Sequence, residues 1–155
     1  IAMRITVPLK AGFVEPSRAD VRRVRKGQPL DFTNGVPVEE LPPALLRCAA
    51  SYGFAPTEST CLALHGKGSV QAHTDDMFGN ASLVWLVADS RDGESQLMVA
   101  RGGESGVMSM NVGDVVLFND REMHAWVSRS SWAMLVVDVS SMRRHQHRLY
   151  RLPKN

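Results

Sequence analysis

From Glu58 to Val139 the chain carries apolar and polar residues with a period of two, in short runs broken by glycine and acidic turns. That period marks β-strands whose two faces meet different surroundings. The runs predict strands near 59–65, 69–75, 81–88, 96–101, 106–110, 114–118, 124–128 and 131–139, separated by Gly66, Asp92-Gly93, Gly102-Gly103, Gly113 and the segment NDRE. Upstream the pattern is mixed. MRITVPL alternates like a short strand, and Ser17 can cap a helix over RADVRRVRKG, with Asp20 at the third helical position and Gly27 at the stop. A second helix is expected over PPALLRCAASYG, entered through Pro42-Pro43 and ended by Gly53. Eight short strands with turns between them describe a mostly β fold. The expected form is a double-stranded β-helix (jelly roll) with one or two N-terminal helices packed outside.

Length and composition narrow this further. A chain of 155 residues fits one domain, and a domain of about 150 residues hides roughly 68–70% of its unfolded surface. The expected layout is an N-terminal strand and helices over about 1–57, a core barrel over 58–139 and a basic C-terminal extension over 140–155. At 44% hydrophobic and 22% charged, with no repeat or low-complexity run, the composition is that of a globular protein. No apolar run is long enough to cross a bilayer and no secretory signal pattern opens the chain, so a cytoplasmic location is expected. Ile1-Ala2 before Met3 reads as a leftover of expression. Cys48 and Cys61 lack metal or redox spacing and read as small buried hydrophobes.

Net charge is +2, unevenly placed. The tail MRRHQHRLYRLPKN holds Arg143, Arg144, Arg148, Arg151 and Lys154 and no acid, while Arg18, Arg22, Arg23, Arg25 and Lys26 cluster in the first helix. Such patches can meet nucleic acid. That partner is not favoured over a solvated surface, and oligomeric state is not legible.

The candidate chemistry lies in VQAHTDD. His73 and Asp75 stand two apart, so on a strand they leave the same face and can reach one ion. His124 opens a later strand after the turn at Asn119-Asp120-Arg121, and jelly-roll strands distant in sequence come together in space. Two histidines and one carboxylate form the facial triad suited to non-haem Fe(II), with positions left open for reactants. A structural zinc site would close all four positions, usually with cysteines.

On these residues the chain resembles the Fe(II)- and 2-oxoglutarate-dependent dioxygenases, especially their prolyl-hydroxylase-like branch, over about Ser59 to Val139. LALHGKGSVQAHTD is similar to that family's strand leading into H-x-D, ASLVWLVADSRDGESQLMVA to its next pair of strands, and GDVVLFNDREMH to its G-D-x-x-x-F segment before the distal histidine. The resemblance implies metal ligands His73, Asp75 and His124. It implies Fe(II) and 2-oxoglutarate as cofactors, and a hydroxylase coupling decarboxylation of 2-oxoglutarate to oxidation of a small-molecule or peptidyl substrate. One feature departs from it: position 134, near the place of the family's usual arginine, is methionine. Arg129, with Ser131 beside it, is the candidate anchor for the far carboxylate of 2-oxoglutarate, because a guanidinium forks onto a carboxylate.

Around this core, Asn119 and Asp120 are expected to orient the His124 ring. His65 and Trp85 are candidate pocket residues, although Trp85, Trp126 and Trp132 also suit core filling. His145 and His147 imitate a metal pair but lie beyond the expected barrel. The alternative reading is a cupin-like or degenerate jelly-roll module that binds a metal or small acid without oxygenase activity.

Overall fold

A computed structural model of the chain describes residues 8–74, 81–101 and 104–142. The described residues build two antiparallel sheets with two helices. The strands are β1 (Leu9–Phe13), β2 (Gly35–Pro37), β3 (Phe54–Pro56), β4 (Thr60–Lys67), β5 (Val70–His73), β6 (Ala81–Asp89), β7 (Ser95–Arg101), β8 (Glu104–Met110), β9 (Asp114–Phe118), β10 (Met123–Val127) and β11 (Ser131–Ser141). The large sheet runs β1-β9-β6-β11-β4-β2, with β3 pairing the end of β11, and the small sheet runs β5-β10-β7-β8. This is a jelly roll. All eight strands expected from the alternation are present, with ends moved by a few residues.

The helices form where local chemistry asks for them. In α1 (Arg18–Val24) the Ser17 hydroxyl accepts from the Asp20 amide, and the Asp20 carboxylate accepts from the Ser17 amide, so the expected cap is a reciprocal capping box. The helix α2 (Pro43–Ala50) starts on Pro43, whose missing N–H has no partner to lose at that position. Gly53, three residues past its end, takes φ +82°.

Both helices cover the outer face of the large sheet, α1 against β4, β6 and β11 and α2 against β1, β3 and β9. The large sheet is therefore buried on both sides, and two apolar clusters result. Val24 and Leu45 from the helices pack with Leu83, Trp85, Leu117 and Leu135. Between the sheets Leu64, Leu86, Leu97, Val116, Trp132 and Met134 form the second cluster. Each such side chain contributes about 1.5–3 kcal/mol on full burial. Double coverage also explains why ASLVWLV and DVVLF lack clean alternation: every residue of β9 and the first seven of β6 are buried.

Three strands depart from the sequence expectation. The first strand occupies residues 9–13 and pairs with β9, later than MRITVPL, of which residues 3–7 lie outside the described residues. The three-residue strands β2 and β3 have no pattern of their own and exist through pairing with β4 and β11. The basic tail from Arg143 onward, with His145 and His147, also lies outside the described residues.

Candidate metal centre and cavity

The segment GDVVLFNDREMH is first a folding device. Gly113 holds φ +98°, which favours glycine. Asp114, 2% exposed, accepts the Asn111 amide at 2.8 Å and the Lys10 ammonium at 2.9 Å, fastening the turn to β1. Strand β9 then delivers Phe118 against the His124 ring, edge to face, with centroids 4.8 Å apart.

His73 and His124 are directly opposite each other in the antiparallel pair of β5 and β10. Their ring centroids are 4.4 Å apart at 61°. Trp126, two residues on along β10, shares the face of His124 by strand alternation, and a register shift with the extra residue on β5 sets Val70 opposite it. The Nδ1 of His73 lies 2.7 Å from the Gln71 carbonyl, and the Nδ1 of His124 lies 2.9 Å from the Glu122 carbonyl. A carbonyl oxygen only accepts, so Nδ1 carries the proton in both rings, and in the neutral form of each ring the lone pair is left to Nε2. Ligating histidines are commonly set in this way.

The donor chemistry fits a divalent transition metal: two imidazoles whose Nδ1 atoms are both held by backbone carbonyls, side by side on neighbouring strands. Among the described residues no three His, Cys, Asp or Glu side chains gather as a metal site. The expected third ligand, Asp75, lies outside the described residues.

Both histidines line a cavity of about 400 Å³ between the sheets. Leu64, Val84, Phe118, Trp126, Trp132 and Met134 supply much of its apolar wall. Ser82 and Asp138, paired across β6 and β11, add polar groups, and Glu58, Thr60, Thr33 and Asn34 also line it. No lysine or arginine is found among the described lining residues.

Several expected site residues occupy other places. Strand alternation turns His65 to the helix side, opposite Leu64, and its Nε2 donates to the Gly27 carbonyl at 3.2 Å. With the Leu30 amide on the His65 carbonyl at 2.8 Å, His65 ties down the segment that carries Phe32 and Thr33 to the cavity. Trp85 is likewise on the helix side, fully buried, and donates from Nε1 to the Val14 carbonyl at 2.9 Å. Neither lines the cavity. Arg129 is an exposed bend residue between β10 and β11, and Ser131 faces away from the cavity because Trp132, Met134, Val136 and Asp138 hold the inward parity of β11. Neither contributes to the wall. Asn119 accepts the Arg121 amide at 3.1 Å, and buried Asp120 accepts the Ser82 hydroxyl at 2.7 Å, whereas His124 Nδ1 takes the Glu122 carbonyl. Asp120 therefore positions Ser82.

Ser82, Trp126, Trp132 and Asp138 are the lining residues sequence reasoning passed over or assigned to the core. A signal existed for Asp138, a lone carboxylate in the apolar run AMLVVDV. It is 6% exposed and accepts the Thr57 hydroxyl at 2.6 Å.

Fold and site define a jelly-roll protein with a paired-histidine cavity. No protein-family model matches the chain, and no curated protein matches it. Among the solved structures that match, two illustrate the shared fold. AviO1 from Streptomyces viridochromogenes Tue57 is 16% identical with a TM-score of 0.58, over 89% of this chain and 91% of that one. EvdMO1 is 14% identical with a TM-score of 0.59, over 90% of this chain and 48% of that one, so this chain spans about half its length. At such identities the likeness establishes the architecture alone.

Proposed function

We propose that the chain is a non-haem Fe(II)- and 2-oxoglutarate-dependent oxygenase acting as a hydroxylase, with His73, Asp75 and His124 holding the metal. The observation that carries this reading is the cross-strand pair of histidines with both Nδ1 protons committed to backbone carbonyls, on the wall of the cavity between the sheets. When bound, iron and 2-oxoglutarate supply the oxidising chemistry. The chain's own part is narrower. The Gln71 and Glu122 carbonyls hold the tautomer that presents Nε2, and Phe118 packs against the His124 ring. The apolar wall limits water around the reactants.

A second reading is a cupin-like module that binds a metal or small ligand without oxidation. It is favoured by one observation: the described cavity wall contains no cation to meet the far carboxylate of 2-oxoglutarate. The readings part on turnover. Full-length protein with Fe(II), 2-oxoglutarate and oxygen should release succinate, and His73→Ala should abolish the release. No succinate from the wild type, or an unchanged yield from His73→Ala, removes the oxygenase reading.

A further inference from the structure

The two sheets differ on their outer faces. Both helices lie against strands of the large sheet, and among the described residues the outer face of the small sheet is open. Strand alternation fixes which side chains stand there. In β7 Leu97 and Val99 are buried between the sheets, so Gln96, Met98 and Ala100 point outward. Unshifted pairing carries that parity across the sheet, to Met123, Ala125 and Val127 of β10 on one side and Val107 and Ser109 of β8 on the other. Val107 is 52% exposed, Met123 47% and Val127 39%. With Met98 they belong to neither apolar cluster of the fold. None of these outward residues is charged.

We infer that this face is a self-association surface, and that its occupant is a second copy of the chain laid on it across a two-fold axis. The inference stands apart from the oxygenase reading. Two observations choose the occupant. The first is charge: a second copy brings identical charges, and a face with none offers no attraction to a charged partner and no repulsion between copies. The second is area. By their fractional exposures, the outward residues and the adjoining edge of β5 offer on the order of 500 Å² per copy, so a pair buries on the order of 1,000 Å². That is high for a single apolar patch on a monomer, and it lies at the lower end of specific interfaces, well short of permanent dimers. The dimer is therefore a reversible one. About the two-fold, the middle row of Ala125, Met98 and Val107 meets its own copy, and the unbranched Met98 side chain adapts to the gap. The inner faces of β5 and β10 carry the histidine pair, so the second copy braces the strands that hold it.

Sedimentation velocity of the full-length protein tests this from about 5 μM to about 500 μM, the range in which a small specific interface comes together. The sedimentation coefficient should climb from the monomer value toward the dimer value, and added NaCl should not weaken the association, because no charge takes part in it. Val107→Lys should weaken it at least about tenfold, by setting like charges against each other in the pair. Its Tm should stay close to wild type, since the side chain is exposed. Met123→Lys is the second variant, so a folding failure of either leaves the test intact. With ¹³C-methyl methionine, the Met98 and Met123 resonances should shift with protein concentration in step with sedimentation. A monomer at every concentration overturns the inference, and flotation of that monomer with neutral lipid vesicles would name a membrane as the occupant instead. Association that either folded lysine variant leaves at full strength, or that salt dissociates, overturns it as well.

Discussion

Replacing Gly113 by alanine tests whether the glycine of the G-D-x-x-x-F segment is there for backbone geometry. At φ +98° an L-residue meets a left-handed penalty of about 1–2 kcal/mol. The turn cannot relax easily, because the Gly113 amide donates to the Leu86 carbonyl at 2.7 Å and its carbonyl accepts the Val14 amide at 2.9 Å. An added Cβ would also fall 2.4 Å from the Phe13 ring. Phe13 is 57% exposed, so that ring can swing outward at small cost. Against these terms, alanine narrows the unfolded ensemble and returns about 0.4–1 kcal/mol. With the small ring displacement added, the expected net loss is about 1 kcal/mol, and at about 2–4 °C per kcal/mol for a chain of this size the Tm should fall by about 2–4 °C. Thermal unfolding followed by circular dichroism, with urea titration for the free energy, measures it. Gly113→Ala made in a Phe13→Ala background should still lose about 1 kcal/mol. An unchanged or raised Tm, or full recovery in the double variant, refutes backbone strain as the reason for the glycine.

Other consequences follow from single groups. Trp85→Phe should destabilise by about 1–3 kcal/mol, seen as a lower urea midpoint, because it opens space in a fully buried site and leaves the Val14 carbonyl without its donor. Burial pushes the Cys61 thiol from 9.0 up to about 12. The unfolded chain then ionises this thiol before the folded one does, so its contribution is complete below pH 9, falls as pH rises toward 12, and is lost by the upper value. A Cys61→Ala variant should show a shallower loss of stability over that window, and the wild-type thiol should resist iodoacetamide at pH 8 until denaturant is added. Arg129→Ala should leave 2-oxoglutarate affinity within twofold of wild type, because the side chain stands on an exposed bend outside the cavity; a tenfold loss would restore it as the anchor.

Much of the fold was legible because its signals are local. Ser17 and Asp20 announce their helix three residues apart, and Gly113 marks a turn wherever that turn sits. Strands β2 and β3 were hidden because three residues carry no period, and only pairing with distant β4 and β11 makes them strands. At the site, two-residue spacing identifies which side chains share a face but not what that face meets. His73 and His124 could be found because their chemistry is specific. His65 and Trp85 could not be assigned, since deciding between cavity and helix layer requires knowing which parity of β4 and β6 the helices cover. Trp126 looked like core material although its two-residue spacing from His124 puts both on one face of β10, because that spacing does not say that the face meets a cavity.

The most direct test of the paired-histidine centre is anaerobic titration of the full-length protein with Fe(II), followed by addition of 2-oxoglutarate. The account predicts one iron per chain and a visible charge-transfer band on adding the keto acid, both lost in His73→Ala and in His124→Ala. Iron binding of equal strength in those variants, or no band in the wild type, would contradict it.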